Sequence, residues 1–137
     1  MANAIYPKFK ETLMQGSANS ALNSAEGTTG VYAALVDTGT YTYSSAHQFY
    51  SSLSGVVGTD QEILTKTQTN GTFDGTDLTF TAVTGASAEA IVLYRKNAGA
   101  NTTWPLIAYI DSATGLPVTP NGGNITITWN ASGIFTL

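Results

Sequence analysis

The chain is poor in charge and has no cysteine at all. Only 10% of its 137 residues are charged. Without cysteine the protein has no disulfides, no thiolate nucleophile and no cysteine-ligated metal. Neutral hydroxyl and amide groups must then keep the surface soluble, unless part of that surface is buried in an assembly. We therefore expect an assembly.

Positive charge is especially scarce. Five lysine and arginine residues stand against nine acidic ones, which gives a net charge of −4 at pH 7. Proteins that bind nucleic acids need clustered lysine and arginine side chains to displace counterions from phosphates. The composition therefore predicts no nucleic-acid partner.

Long apolar stretches are also missing. The long apolar runs, such as Val31 to Val36 and Ala90 to Tyr94, have the length of a strand, whereas a membrane-spanning helix needs roughly 18 apolar residues. The first ten residues lack the apolar centre of a secretory signal peptide. We expect no membrane role and synthesis in a cytoplasm.

The start of the chain carries a helical pattern. Ile5, Phe9 and Leu13 follow one another at a spacing of four residues. Pro7 stands near the beginning of this pattern and Gly16 just past its end, which are the positions these residues prefer at helix boundaries. The pattern predicts a short N-terminal amphipathic helix.

The segment after this helix is small and polar. Residues 17–29 show no sustained period, which predicts an extended arm over a neighbouring surface. We therefore divide the chain into a helix and arm at 1–29 and a β domain at 30–137, together one compact unit.

Alternating apolar and polar residues predict strands across most of the remaining chain. Val31 to Val36 is the first strand, and Leu78 to Thr81 alternates apolar and hydroxyl side chains. Ala88 to Arg95 is apolar on both faces and predicts a central strand, with Thr103 to Ile110 as its hairpin partner. The pair Asn70-Gly71 tolerates positive φ angles and predicts a tight hairpin turn.

The other segments are shorter or rich in turn residues. Ser44 or Ser45 can cap a short helical turn. Residues 111–123 predict a long ordered turn, and strands follow at 124–129 and 133–137. About seven or eight short strands predict an all-β fold: a jelly-roll-like antiparallel β-sandwich with a short N-terminal helix and an arm, or else a small barrel.

Catalytic chemistry has few candidates. His47 is the only histidine, and no second histidine or nearby carboxylate completes a relay or a metal set around it. We interpret His47 as a capping or packing residue, with a general base or metal ligand as the alternative. The sequence predicts no catalytic, cofactor or metal site.

Two aspartates lie close together in a turn-rich segment. Asp74 and Asp77 could belong to a calcium loop or a glycosidase pair. The segment lacks the regular oxygen spacing and final glutamate of a calcium-binding helix–loop–helix. Turn formation through their side chains is the favoured interpretation, with a weak cation site as the alternative.

The chain is rich in tyrosine and tryptophan, which can line a sugar-stacking platform or pack in the core and at interfaces. Packing is favoured because most of these rings alternate with small or hydroxyl residues at strand spacing. Trp104 precedes Pro105 and follows a flexible loop, so it is the least core-like ring. We predict that Trp104 contacts a partner.

Several segments spread over most of the chain resemble small virion proteins that are common in tailed-bacteriophage and prophage genomes. They read NAIYPKFK at 3–10, ALVDTGTYTY at 34–43, TNGTFDG at 69–75, FTAVTGA at 80–86 and GLPV at 115–118. These segments are structural rather than catalytic, so the resemblance implies a virion protein and no activity.

The resemblance implies a role in assembly. By analogy with small phage β-proteins of this size, we expect a capsid cement or decoration protein that binds across major capsid protein subunits on the outer capsid surface. A homo-oligomer, either a trimer or a dimer, would multiply such contacts. The expected partner contacts are Ile5, Tyr6, Phe9, Leu13 and Trp104.

Two other functions remain open. The first is a tail, collar or fibre-associated β-domain that binds another tail protein or a host carbohydrate, which exposed aromatic residues around Trp104 would favour. The second is an enzyme such as a cell-wall hydrolase, which requires His47 and a carboxylate to converge in a cleft.

Overall fold

The computed structural model describes residues 3–27 and 29–137. Within these ranges the chain forms one short helix and ten strands, joined by turns. In chain order they are β1 (Ala4–Ile5), α1 (Pro7–Gln15), β2 (Gly30–Val36), β3 (Val56–Glu62), β4 (Thr67–Thr69), β5 (Thr72–Asp74), β6 (Leu78–Phe80), β7 (Ala90–Lys96), β8 (Leu106–Ile110), β9 (Ile125–Ile127) and β10 (Phe135–Thr136). The prediction of a mostly β protein with antiparallel sheets and one short helix is confirmed.

The largest sheet has five strands in the order β1-β8-β7-β2-β3. β7 lies in the middle, and its residues from Ala90 to Tyr94 are all buried, as expected for a strand covered on both faces. The predicted central strand and its hairpin partner β8 are confirmed. β8 begins only after Pro105, and the pairing with β7 shifts register between Leu93 and Tyr94, which is the irregularity that a proline at this position favours.

Two smaller sheets complete the fold. β10, β5 and β4 form one, and β6 and β9 form the other. The turn between β4 and β5 has φ angles of 53° at Asn70 and 77° at Gly71, so the predicted tight hairpin turn is confirmed. β6 and β9 alternate buried and exposed residues, which places one face of each strand on the core.

The N-terminal helix forms where the sequence predicts it. Gly16 adopts the left-handed conformation at its end, with φ of 62°. β1 pairs with β8, and the Tyr6 amide donates to the Ile107 carbonyl oxygen at 2.9 Å. Strand and helix therefore anchor the start of the described chain in the largest sheet.

The described part of the arm folds back on the chain's own β domain. The Arg95 side chain donates from Nε to the Ala21 carbonyl oxygen at 3.0 Å. The Gly27 amide donates to the Glu62 carboxylate at 2.9 and 3.0 Å. Residue 28 of the predicted arm, like residues 1 and 2 of the predicted N-terminal segment, lies outside the described residues.

The helical turn predicted after Ser44 is shorter than expected. The Ser44 hydroxyl accepts a hydrogen bond from the Ala46 amide at 3.2 Å, but helical geometry is confined to a 3-10 turn at Tyr50–Ser52. Phe49 instead pairs with Pro105 as an isolated β-bridge, which holds the chain extended at that point. Within the described residues, no helix combines the length and apolarity that a membrane crossing needs.

Candidate functional site

A cleft of about 410 Å³ opens beside the largest sheet. β2, β3 and β7 line it together with the 3-10 turn at Tyr50–Ser52 and the end of the loop that precedes β8. We call it the aromatic cleft; its principal side chains are Tyr32, Tyr50, Asp60, Tyr94, Lys96 and Trp104.

Strand pairing places these side chains together. Tyr32 on β2 lies directly opposite Tyr94 on β7. Lys96 follows Tyr94 by two residues and so projects from the same face of the sheet. On the other side, the Tyr50 amide donates to the Trp104 carbonyl oxygen at 2.9 Å, which ties the 3-10 turn to the loop.

The rings pack closely on one another. Trp104 lies parallel to Tyr94, with ring centres 5.7 Å apart and an angle of 8° between the planes. Tyr50 meets both rings edge-on, at 4.5 Å from Tyr94 and 5.4 Å from Trp104. The indole Nε1 of Trp104 donates to the Gly99 carbonyl oxygen at 3.0 Å. These contacts hold the ring of Trp104 in one orientation although it is only half-buried.

Asp60 lies at the centre of the polar contacts. The hydroxyl groups of Tyr50 and Tyr94 both donate to its Oδ2 atom, at 2.8 and 2.7 Å. Its Oδ1 atom is buried and has no hydrogen-bond partner among the described residues. Burial raises the pKa of Asp60, and the two tyrosine hydroxyls and the charge of Lys96 oppose this rise.

The two tyrosines beside Asp60 remain neutral donors. Burial raises the pKa of Tyr50 and of Tyr94 well above the ordinary value, and the nearby Asp60 carboxylate raises both further. Their hydroxyl protons are therefore retained at physiological pH, and both bonds to Asp60 keep the same direction.

Lys96 supplies the positive charge of the cleft. Its ammonium group lies 5.0 Å from the ring centre of Tyr32 and 5.2 Å from that of Trp104. Both distances are within the range of a cation–π contact. The ammonium is thus held between two rings instead of extending into solvent.

His47 belongs to a different cluster. Its Nδ1 atom is 2.9 Å from the hydroxyl oxygen of Tyr41, which is 2.7 Å from that of Tyr6. The ring of Tyr43 covers Tyr6 at 5.0 Å. The arrangement agrees with the packing interpretation of His47. Within residues 3–27 and 29–137, no group of three histidine or acidic side chains is placed to hold a metal ion.

The residues predicted to bind a partner differ in how far the structure exposes them. Tyr6 and Phe9 are 0% and 1% exposed, so the interpretation of these two as accessible contacts is wrong. The four-residue spacing that defines the apolar face of the helix turns Phe9 towards the chain's own core, and Tyr6 enters that core at the start of the helix. Ile5 and Leu13 are partly buried at the edge of this core.

Ile5 and Leu13 line a second surface feature. It is a groove of about 300 Å³ that also includes Met14 and Leu137. Met14 is 80% exposed and Leu137 is 58% exposed, which is unusual for large apolar side chains. We call this surface the apolar groove.

The two aspartates of the turn-rich segment bind backbone amides. Asp74 accepts from the Gly75 amide at 2.9 Å, and Asp77 accepts from the Trp129 amide at 2.9 Å. The Asp74 contact is local, as the turn interpretation predicts. Asp77 instead links its segment to a residue 52 positions away.

Sequence analysis identified Trp104 but missed Asp60 and Lys96. The only available signal for Lys96 was its two-residue spacing from Tyr94, which puts both on one face of a strand. Asp60 gave no such signal because its partners come from 10 and 34 residues away.

No protein-family model matches the chain, and no curated protein matches it either. The class to which the chain belongs is therefore defined by its own geometry. It is an antiparallel β protein with one short helix, an aromatic cleft beside its largest sheet, and an apolar groove beside its helix.

Proposed function

We propose that this chain is a structural protein of a tailed-bacteriophage virion, specifically a capsid cement or decoration protein that binds across major capsid protein subunits on the outer shell. The observation that carries the proposal is the exposed apolar groove on a weakly charged β protein.

The apolar groove supports a protein partner. Met14 and Leu137 leave apolar surface in water, at a cost of about 25 cal/mol for each Å². Ile5 and Leu13 extend this surface towards the core. Methionine is enriched at protein interfaces, and covering the groove with a capsid subunit would remove the cost.

The anchored N-terminus supports a rigid building block. β1 and α1 are held by the largest sheet, and the groove also includes Leu137. A partner that covers the groove therefore contacts ordered elements and has little chain to immobilise on binding. We propose a β-sandwich of jelly-roll type for the arrangement of the sheets, and a dimer or trimer that binds several capsid subunits at once.

Imaging the purified virion at near-atomic resolution tests the proposal. Hundreds of copies spread over the shell, with the apolar groove against a capsid subunit, are the expected result. A small number of copies confined to the neck or tail would contradict it. That outcome would support the alternative of a tail, collar or fibre-associated β-domain, which the partly exposed rings of the aromatic cleft favour.

A further inference from the structure

We propose that the aromatic cleft is a binding site for a neutral saccharide of one or two sugar rings. The proposal concerns the cleft alone, so it does not depend on the virion location proposed above. It stands on the ring arrangement around Trp104, the polar groups that border it, and the balance of charge inside the cleft.

The size and lining of the cleft suit a small polar ligand with apolar faces. Its volume of about 410 Å³ falls within the range of ligand sites in proteins, roughly 300–1,000 Å³. Such sites combine aromatic walls with a small number of polar groups that fix the ligand's orientation. The aromatic cleft has this composition.

The rings offer a preformed platform. Trp104 is held by Tyr94, Tyr50 and its own hydrogen bond to the loop, so its orientation is set before any ligand binds. The face of an aromatic ring is apolar and electron-rich, which suits the slightly positive C–H groups on one face of a pyranose ring. Little ordering entropy is then lost on binding.

Hydrogen-bonding groups border this platform. The Lys96 ammonium carries three donors and lies over the Trp104 ring. A sugar that stacks on this ring moves the ammonium to the ring's edge, where it can donate to the sugar hydroxyls. Thr59 adds an exposed hydroxyl that can donate or accept. Sugar hydroxyls present donors and acceptors around the edge of a flat ring, so they match groups that border an aromatic surface.

The charges favour a neutral ligand over a charged one. Lys96 already occupies the cation position between Tyr32 and Trp104, so it would compete with and repel an external ammonium group. The Asp60 carboxylate lies in the same cleft and would repel an anion. A neutral polyhydroxyl compound encounters neither repulsion.

Asp60 acts as a positioning residue. Its Oδ2 atom fixes two tyrosine hydroxyls and thereby the rings that support Trp104. Its Oδ1 atom stays buried without a hydrogen-bond partner among the described residues.

The test is a titration followed by two-dimensional NMR of the full chain. The probes are glucose, galactose, mannose and N-acetylglucosamine, each as the methyl glycoside, with tetramethylammonium as the cationic probe. We expect saturable shifts of the Trp104 indole N–H and of the Thr59 and Lys96 amides with at least one sugar. The Trp129 indole N–H should not shift, because Trp129 does not line the cleft.

Two variants test whether the Trp104 ring and the Lys96 ammonium contribute to sugar binding. Trp104→Ala should weaken sugar binding at least tenfold, and Lys96→Met, which keeps every ring, should weaken it severalfold. If no sugar gives saturable shifts at millimolar concentration, or if tetramethylammonium binds the wild-type cleft in preference to every sugar, the proposal is overturned. Sugar binding that is unchanged in both folded variants would also overturn it.

Discussion

Two tyrosine clusters in this protein have similar composition but differ in their access to solvent. In the first, Tyr6 and Tyr41 are 0% and 2% exposed, and both hydroxyls take part in a chain of hydrogen bonds that reaches His47. In the second, Tyr50 and Tyr94 donate to one oxygen of Asp60 at the edge of an open cleft. Tyr94 is as buried as Tyr41, at 2%, but Tyr50 and Asp60 are partly exposed. The first cluster is closed, whereas the second leaves one buried carboxylate oxygen without a partner among the described residues and an aromatic surface at the cleft.

The difference comes from the group at the end of each cluster. His47 ends the closed cluster, and its Nδ1 atom pairs with the Tyr41 hydroxyl. A carboxylate has two oxygens, and both tyrosines donate to the same one. The other oxygen of Asp60 therefore stays buried without a partner among the described residues.

Removing a whole ring from each cluster should give the largest difference between the clusters in the free energy of unfolding. Tyr6→Ala leaves a cavity in the core and is expected to lower the free energy of unfolding by about 3–5 kcal/mol. Trp104→Ala removes a half-buried ring from the cleft and should cost about 0.5–1.5 kcal/mol for each lost ring pair. Urea unfolding of both variants gives the comparison. Equal losses would show that the two clusters serve the fold to the same degree.

Removing only a hydroxyl should give a smaller difference in the same direction. Tyr6→Phe removes the hydrogen bond between two buried hydroxyls, leaves Tyr41 with His47 alone, and should cost about 1–1.5 kcal/mol. Tyr50→Phe should cost about 1 kcal/mol or less, because Tyr94 keeps its bond to Asp60 and water in the cleft can replace the lost donor. Thermal and urea unfolding provide the measurement, and a larger loss for Tyr50→Phe would contradict the comparison.

Several elements outside the aromatic cleft could be predicted from the sequence because their signals are local. The helix at Pro7–Gln15 follows from apolar spacing with Pro7 and Gly16 at its boundaries. The turn at Asn70-Gly71 follows from two residues that accept positive φ angles. β7 follows from a short run that is apolar on both faces.

The cluster of Tyr50, Tyr94 and Asp60 could not be predicted because it depends on pairing between distant segments. Asp60 reaches Tyr94 only through the order β3-β2-β7 in the largest sheet, which no local pattern specifies. The partner of the helix's apolar face could not be predicted either. Apolar spacing shows that Phe9 lies on one face, but not whether that face meets the chain's own sheet or a partner.

The pH dependence of stability should further distinguish the two clusters, because Asp60 belongs to only one of them. Burial raises the pKa of Asp60 in the folded state above its ordinary value of 3.8, so the folded protein holds this proton more tightly than the unfolded chain does. Its contribution to stability is therefore largest at low pH and declines as pH rises through the folded-state pKa. Asp60→Asn lacks this titration.

The measurement compares urea unfolding of the wild-type protein and Asp60→Asn from about pH 4 to about pH 7. We expect the wild-type free energy of unfolding, relative to that of the variant, to fall over this range and then to level off. A relative stability that rises with pH would mean that Lys96 and the two tyrosines stabilise the carboxylate more than burial opposes it.

The smallest effect on stability is expected at the apolar groove, which lies outside both tyrosine clusters. Met14→Ser changes a side chain that is 80% exposed, so the free energy of unfolding should change by less than about 0.5 kcal/mol. Leu64→Ser is the matched control, because Leu64 is also an exposed apolar residue, at 43%, but does not line the groove. Both variants should therefore unfold almost as the wild type does.

Their behaviour on virions should nevertheless differ. If the groove is covered by a capsid subunit, Met14→Ser removes apolar contact area there and should lower the number of copies retained on purified particles, whereas Leu64→Ser should not. Equal retention of both variants would show that the groove takes no part in assembly. Loss of stability in Met14→Ser alone would instead show that this side chain belongs to the fold, as Tyr6 and Phe9 do.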